Sequence, residues 1–394
     1  MNKHKPLDRH IDTKLLDHHN NRDLAIILLG PRQIGKTTTL KRLFPNAQYF
    51  LLDNEAEKEL FERYDISYYK NAIADLGKNV LVLDEIQLLS NPGRAIKILY
   101  DQIKGIKIVA TGSSTLTIKN KLSESMAGRK LEYQLFPLTF SEILFQKGTT
   151  SRLEYKIVEN ITGQMPASQK AYSFDIHGML KEVLLFGSYP YLVANPRDTE
   201  YLLSIANDAI YKDIIELNLI ENKSDAKRLL KLLAYQIGNI VNYSQIAGSL
   251  SMDIRTVQRY IEIFEQTYIL FRLYPFSLNK KTELRKSPKI YFYDLGIRNA
   301  IINNFDDIDV RSDKGAMFEN FIINEVLKSN SYNKLNYKMY YWRTKFGSEV
   351  DLVLQKLDEI IACEIKFTGG AFSSAFRNRY PHAKTQTITS GNFY

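Results

Sequence analysis

Short apolar runs alternate with helical segments along the first third of the chain. Each run has the length and composition of a strand that is buried on both faces of a sheet. The predicted strands cover residues 24–29, 47–52, 80–83 and 107–110. Helices are predicted between them, over residues 38–44 and 92–104 among others. Strands that alternate with helices predict an α/β domain built on a parallel sheet.

The loop after the first predicted strand reads GPRQIGKT over residues 30–37, which is the pattern of a phosphate-binding loop. Gly30 and Gly35 let the backbone curl so that successive N–H groups converge on phosphate oxygens. Lys36 is then placed to reach the β- and γ-phosphates, and Thr37 to offer its hydroxyl to Mg²⁺. The sequence therefore predicts a site for ATP and Mg²⁺. The residues expected to contact the nucleotide are Gly30, Pro31, Arg32, Gln33, Ile34, Gly35, Lys36, Thr37 and Thr38.

Polar residues end the third and fourth predicted strands. Asp84 and Glu85 follow the strand over residues 80–83, at the edge where an open α/β sheet places its ligand. Asp84 would hold Mg²⁺ through water, and Glu85 would polarise the attacking water. The fourth strand ends in the sequence TGSS, where a polar side chain could sense the γ-phosphate. We favour Ser113 over Thr111 for that role.

Arg129 follows a polar segment that covers residues 115–128. An arginine there could reach a γ-phosphate in its own or a neighbouring subunit. The alternative is a surface arginine that pairs with a nearby acid.

Length and composition limit the class of protein. A chain of 394 residues is too long for one ordinary domain and suggests two or three. No apolar run approaches the ~20 residues that cross a bilayer, and the polar N-terminus is unlike a secretion signal. The single cysteine, Cys363, excludes an internal disulfide framework. We therefore expect a cytoplasmic protein without a membrane role and without structural zinc.

Positive charge is concentrated in one window. The chain has a net charge of +9, and residues 223–289 hold twelve Lys/Arg against five Asp/Glu. An excess of this size predicts contact with an anionic polymer.

The same window has the spacing of a helix, a short turn and a second helix. The turn covers residues 251–253, the second helix covers 254–265, and residues 269–275 suit a strand of a wing. The residues expected to face a DNA groove or backbone are Arg255, Gln258 and Arg259. The alternative is a winged helix that serves only packing or protein contacts.

Acidic residues recur in the last third of the chain. Glu319 lies on a predicted helix over residues 315–328, and Trp342 opens a predicted strand that leads to Asp351. Glu364 and Lys366 lie two apart on the next strand, so both point to one face. This is the arrangement of a restriction-type nuclease, in which Asp351 and Glu364 would ligate a divalent metal beside Lys366 and Glu319. The alternatives are a solvated strand edge and a folded but inactive site.

Eight sequence motifs together resemble a family of bacterial and archaeal AAA-type ATPases. The motifs are GPRQIGKTT, LVLDE, TGSS, LSESMAGR, FPLTFSEI, GSYPYLV, YKDI and SPKIYFYDLG. The resemblance implies a P-loop ATPase core in which Lys36, Thr37, Asp84 and Glu85 have their usual roles. It also implies a C-terminal region of unknown function with a winged-helix part and a nuclease-like part. The usual Pro-Asp step of that nuclease fold is replaced by Val350-Asp351.

We therefore expect four consecutive parts. These are an α/β ATPase domain over residues 1–150, a helical linker over 151–222, a winged helix over 223–278 and a nuclease-like α/β domain over 279–394. The predicted function is ATP hydrolysis coupled to DNA binding or processing, with DNA as the partner and a homo-oligomer as an open option. One alternative is a nucleotide-gated switch that binds proteins and never DNA. Another is a metal-dependent nuclease regulated by ATP.

Overall fold

The computed structural model describes residues 7–73, 79–113, 126–163, 174–215, 220–277 and 287–394, with only the backbone described over 208–215. The chain forms two compact units. The first contains residues up to Pro137 together with residues 266–268, and the second contains residues 138–265 and 269–394. The three boundaries between the four predicted parts stay a prediction.

The first unit is built on a parallel sheet. Its elements are α1 (Asp12–Asn21), β1 (Ala25–Leu29), α2 (Lys36–Leu43), β2 (Gln48–Leu51), α3 (Glu55–Glu62), α4 (Ile66–Ile73), β3 (Val80–Asp84), a 3-10 turn (Ile86–Leu88), α5 (Pro92–Gln102), β4 (Lys107–Gly112) and β5 (Lys130–Gln134). The strand order is β2-β3-β4-β1-β5, and every neighbouring pair is parallel. The predicted α/β architecture is confirmed. Because β4 separates β1 from β3, the carboxyl ends of these three strands lie side by side.

The edge strand β5 was not predicted from the sequence. Its apolar residues Leu131 and Tyr133 alternate with Lys130, Glu132 and Gln134, and all five are only partly buried or exposed. This period of two is typical of a half-buried strand. It was missed because the predicted strands of this domain are continuous apolar runs.

The second unit contains a helical part followed by a mixed sheet. Its elements are α6 (Phe140–Gln146), α7 (Lys156–Thr162), α8 (Ile176–Phe186), α9 (Pro190–Ala194), α10 (Thr199–Ile215), α11 (Lys223–Tyr235), α12 (Tyr243–Leu250), α13 (Ile254–Gln266), β6 (Leu270–Leu273), β7 (Lys289–Phe292), α14 (Leu295–Ile302), α15 (Lys314–Asn333), β8 (Lys338–Arg343), β9 (Glu349–Lys356), β10 (Glu359–Lys366), α16 (Ser374–Arg379) and β11 (Lys384–Thr389).

Helices α12 and α13 lie where the spacing predicted two helices. The turn between them contains Ser251 in the left-handed conformation, with φ of 55°, and its N–H caps α12. The inner face of α13 buries Val257, Tyr260, Ile261 and Phe264. Strands β6 and β7 form an antiparallel pair after α13. The identity of this part as a DNA-binding winged helix stays a prediction.

The C-terminal sheet has the order β11-β10-β9-β8, in which β9 is antiparallel to both neighbours and β10 is parallel to β11. The predicted strand from Trp342 through Asp351 is instead two strands. A tight turn separates them, because Gly347 adopts φ of 92° and the N–H of Thr344 donates to the carbonyl of Ser348 at 2.9 Å. Helix α15 runs further than predicted, to Asn333.

Candidate functional site

The loop between β1 and α2 depends on its two glycines. Gly30 has φ of 155°, and a Cβ there would lie 2.2 Å from the carbonyl oxygen of Leu135. Gly35 has φ of 89° immediately before the first residue of α2. Gln33 is also left-handed, with φ of 61°. Side chains at the glycine positions would clash in the first case and strain the backbone in the second.

Lys36 is folded into this loop. The side chain is buried, and its ammonium donates to the carbonyl oxygens of Gly30 at 3.0 Å and Pro31 at 2.9 Å. The loop therefore holds one positive charge at the place where the pattern predicts phosphate oxygens. An anion arriving there would replace carbonyl oxygens as the acceptors of that ammonium.

Three elements bring oxygen atoms together beside the loop. The Thr37 hydroxyl, at the start of α2, donates to Oδ2 of Asp84 at 2.6 Å. The Thr111 hydroxyl on β4 donates to the other carboxylate oxygen of Asp84. Asp84 is buried at the carboxyl end of β3. A carboxylate and a hydroxyl in contact are the hard oxygen donors that suit Mg²⁺.

Glu85 continues this polar edge with an unusual backbone. It adopts the left-handed conformation, with φ of 62° and ψ of 48°, and its N–H donates to the Thr111 hydroxyl at 3.1 Å. The Gln87 amide donates to the Glu85 carboxylate and to the hydroxyl of Ser113, the latter at 3.0 Å. Gln87 was not predicted, although it lies only two residues after Glu85.

The structure brings Thr111, rather than Ser113, to the acidic pair. Thr111 contacts both Asp84 and the backbone of Glu85, whereas Ser113 contacts the Gln87 amide. Thr111 and Ser113 lie two positions apart, so the alternation of a strand does not distinguish them. The contact with Asp84 is what sets Thr111 apart.

We expect Thr111→Val to lower ATP turnover roughly tenfold, because a buried carboxylate and an N–H each lose a partner. Ser113→Ala should have the smaller effect. The measurement is phosphate release under saturating ATP for both variants. A larger loss in Ser113→Ala would restore Ser113 as the residue that responds to the γ-phosphate.

Arg129 lies at the amino ends of the strands, opposite the end that carries the phosphate-binding loop. Its carbonyl accepts from the N–H of Ala25, the first residue of β1, and the phosphate-binding loop follows the last residue of that strand. The backbone of Arg129 and the start of the phosphate-binding loop are therefore separated by the length of β1, about 15 Å. The guanidinium pairs with Asp101 at 3.0 Å. Arg129 is thus not placed to contact a γ-phosphate in its own chain, and its role in a neighbouring subunit stays a prediction.

Arg9 supports the loop from the N-terminal segment. Its buried guanidinium donates to the carbonyl of Ile34 at 3.1 Å and to that of Phe136 at 2.6 Å. These bonds tie the phosphate-binding loop to the residue two positions after β5. No local sequence signal identifies Arg9, because its partners lie 25 and 127 residues away.

The C-terminal sheet brings together the residues of the second predicted site. The Lys366 ammonium lies 3.5 Å from Oδ2 of Asp351 and 3.9 Å from Oε2 of Glu364. Both carboxylates are buried and accept backbone N–H groups, Asp351 from Ile365 at 2.8 Å and Glu364 from Ser373 at 2.6 Å. The predicted convergence of β9 and β10 at this point is therefore observed.

A second lysine occupies this site, and the sequence did not predict it. Lys289 on β7 is 3% exposed, and its ammonium contacts Glu319 at 3.0 Å, Glu349, and Asp351 at 3.9 Å. We name Lys289, Glu319, Glu349 and Asp351 the internal ion cluster. Within the described ranges, no group of three or more His, Cys, Asp or Glu residues could hold a metal ion. The Lys289 ammonium thus lies 3.9 Å from Asp351, one of the two predicted metal ligands.

Burial and charge shift the titration of this cluster. Burial raises the pKa of Glu319 to about 7, and the nearby Lys289 ammonium opposes that rise. Burial alone would lower the pKa of Lys289, but the surrounding carboxylates prevail and hold it above its ordinary value. Tyr291 donates to Glu319 at 2.5 Å and is a second partner of that carboxylate beside Lys289.

The predicted DNA-contacting residues share the outer face of α13. Arg255, Gln258 and Arg259 are all exposed. Arg259 pairs with the exposed Glu221 at 3.1 Å. The structure thus brings these three side chains to one solvent-facing surface. The basic run at residues 280–286 lies outside the described residues. No described helix has the length and apolar character needed to span a bilayer.

Three family models match successive parts of the chain. Residues 22–144, which include the parallel sheet and the phosphate-binding loop, match an AAA domain. Residues 178–308 and 314–389 match two domains of unknown function, DUF8612 and DUF4143.

Relatives in other organisms match over most of this chain. An uncharacterized protein of Methanocaldococcus jannaschii is 28% identical over 372 residues, which cover 87% of this chain and 75% of that protein. One from Mycobacterium tuberculosis is 24% identical over 347 residues, which cover 87% and 70%. Among solved structures, the replication initiator DnaA bound to AMPPCP and single-stranded DNA is 17% identical, with a TM-score of 0.28 over 65% of this chain and 86% of that chain.

Proposed function

We propose that this protein binds and hydrolyses ATP and couples that reaction to DNA binding. The observation that supports hydrolysis most directly is the convergence of Lys36, Thr37, Asp84 and Glu85 at one edge of the parallel sheet. A buried ammonium, a hydroxyl bonded to a carboxylate, and a second carboxylate are the groups that phosphoryl transfer to water requires.

Each residue has a defined task in this proposal. Lys36 exchanges its loop carbonyls for phosphate oxygens and stabilises the charge that develops on them. Thr37 and Asp84 would hold Mg²⁺, which would neutralise phosphate charge when bound. Glu85 accepts a proton from the attacking water, and the Gln87 amide orients its carboxylate. Thr111 fixes Asp84 and the Glu85 backbone from β4.

The DNA role rests on the exposed face of α13. We propose that α11, α12, α13 and the β6–β7 pair form a winged helix in which Arg255, Gln258 and Arg259 contact the nucleic acid. The net excess of seven positive charges over residues 223–289 supports this proposal. The Arg259 side chain is 46% exposed, and its partner Glu221 is 83% exposed. That ion pair is a weak one and a phosphate can replace it.

We further propose that β8–β11 with α15 form a nuclease-like fold that does not cut. Asp351, Glu364 and Lys366 converge as such a fold requires, but Lys289 supplies the positive charge that a metal would bring. The nuclease alternative therefore has the weaker support. A simple assay distinguishes our proposal from a nucleotide-gated switch that binds proteins. Duplex or single-stranded DNA should raise the rate of ATP turnover only if DNA is the partner.

Duplex affinity should fall steeply with salt, because basic residues displace counterions from phosphates. The expected slope of log K against log[salt] is about −0.9 per phosphate contact. Replacing Arg255 and Arg259 by alanine should flatten the slope by up to about 1.8 and weaken binding at low salt. The measurement is fluorescence anisotropy of a labelled duplex across a salt series.

The charge-matched control for that experiment is Arg63→Ala with Lys70→Ala. Both side chains are exposed in the first unit, outside the basic window. This variant loses the same two charges and should keep the parent slope. An unchanged slope in the α13 variant, or no duplex binding at low salt, would remove α13 as a DNA-contacting helix.

A further inference from the structure

The turn between β8 and β9 holds an aromatic ring entirely in solvent. Phe346 is 99% exposed. The turn beneath it is closed by backbone and side-chain bonds, from Thr344 N–H to the Ser348 carbonyl at 2.9 Å and from Ser348 N–H to the Thr344 hydroxyl at 3.1 Å. Gly347 takes the left-handed conformation that completes it. The ring is therefore presented on an ordered turn, where burial of its apolar surface would be favourable but has not occurred.

Three positive side chains lie on the same hairpin as this ring or at the same end of the sheet. Lys345 is exposed, and the side chain of Arg343 is 46% exposed. Arg343 on β8 is the register partner of Glu349 on β9. Because β10 runs antiparallel to β9, its last residue, Lys366, lies at the same end of the sheet as this turn. Lys366 is 44% exposed, whereas Asp351 and Glu364 beneath it are only 7% exposed at their side chains. The surface of this sheet end is therefore basic although its interior is acidic.

We propose that residues 343–348, which we name the hairpin tip, bind single-stranded nucleic acid. Phe346 stacks on an unpaired base, and Arg343, Lys345 and Lys366 contact the adjacent phosphates. This inference rests on the proposed DNA function and adds a second contact surface to the one on α13. It assigns the C-terminal sheet a binding role that does not require a metal.

The chemistry of the hairpin tip selects this ligand. A single-stranded nucleic acid offers an aromatic face beside a negative backbone, and a protein ring on a basic surface matches both. A duplex hides its base faces in the stack. Binding to a membrane surface would need a larger apolar area than one ring offers. The neighbouring residues Thr344, Gly347 and Ser348 add little apolar area to it. One ring with cationic neighbours fits one splayed base.

The test compares the parent with Phe346→Ala and Phe346→Trp. A fluorescein-labelled oligothymidylate is titrated at low salt and followed by anisotropy. Phe346→Ala should weaken binding roughly tenfold, the loss of one base stack. Phe346→Trp should keep the affinity, and the emission of the new indole should be quenched by the oligomer. The parent's single tryptophan, Trp342, is buried and gives no such signal.

Leu357→Ala is the matched control. Leu357 is 88% exposed on the β9–β10 turn, at the other end of the same sheet. Its removal should leave the affinity unchanged. Equal affinities for Phe346→Ala and the parent, or an indole that is not quenched while the oligomer binds, would overturn the inference. The inference would also be overturned if Phe346→Ala lost binding to vesicles of phosphatidylcholine and phosphatidylserine but kept the parent affinity for the oligomer.

The outcomes for the two DNA surfaces can be told apart. A parent that binds neither single strands nor duplex overturns both the proposed DNA function and this inference. Single-strand binding that Phe346→Ala leaves unchanged overturns the inference alone. Single-strand binding that depends on Phe346, without any duplex binding, supports the hairpin tip and removes α13 from the proposal.

Discussion

Replacing Lys36 by alanine is expected to lower ATP turnover by roughly 10²- to 10³-fold, the cost of removing one preorganised group that stabilises developing charge. The effect is large because the lysine is buried in the loop, where water cannot substitute for it. Phosphate release under saturating ATP measures it. The matched control is Lys41→Ala, an exposed lysine on the same helix, which should keep the parent rate. Parent turnover in Lys36→Ala would disprove the ATP site.

The companion variant Glu85→Gln separates binding from chemistry. Glutamine keeps the size of the side chain and its contact with Gln87 but cannot take a proton from water. We expect ATP to bind with parent affinity and to remain unhydrolysed. Equilibrium binding of a fluorescent ATP analogue, compared with phosphate release, distinguishes the two steps. Full turnover in Glu85→Gln would assign the base to another residue.

Replacing Lys289 by methionine is expected to destabilise the second unit by about 3–5 kcal/mol. The substitution preserves most of the side-chain volume and removes the charge, which leaves buried carboxylates without their cation. The measurement is urea unfolding followed by the fluorescence of Trp342, which packs in the same C-terminal sheet. Lys338→Met, an exposed lysine on β8, is the control and should be close to neutral.

The stability deficit of Lys289→Met should grow with pH. Without the ammonium, the folded-state pKa of Glu319, already raised to about 7, rises further above its unfolded value. Protonation of Glu319 relieves the buried charge below that pKa, so the variant loses stability as pH rises through it. We expect a larger difference from the parent at about pH 8 than at about pH 5.5. A deficit that does not change with pH, or no deficit at all, would show that Lys289 does not neutralise the internal ion cluster.

The sequence predicted those parts of the nucleotide site that lie in continuous stretches. Lys36 and Thr37 belong to one loop, and Asp84 ends one strand. A parallel sheet gathers strand ends at one edge, so their meeting followed from the fold class. Glu364 and Lys366 were predictable for a similar reason, since two positions apart on one strand share a face.

Residues contributed across long chain separations could not be predicted in this way. Lys289 contacts Glu319, which lies thirty positions further along the chain, and Glu349 and Asp351 on β9, which lie further still. No local sequence pattern therefore marks Lys289 as part of the internal ion cluster. Arg9 reaches its partner Phe136 across 127 positions. The position of Arg129 could not be predicted either, because it depends on β5, a strand that was not recognised and whose parallel direction puts residue 129 at the amino ends of the strands.

The backbone of Glu85 separates the requirements of folding from those of chemistry. A non-glycine residue held in the left-handed region costs of order 1 kcal/mol or more, and glycine would adopt the same turn without that cost. Local conformational preference would therefore place glycine directly after β3. A glutamate at this position supplies a carboxylate to the site and lowers the stability of the fold relative to glycine. The strained backbone of Glu85 is informative only together with its place beside the phosphate-binding loop, because Leu357 is also left-handed and lies on an exposed turn without a proposed role.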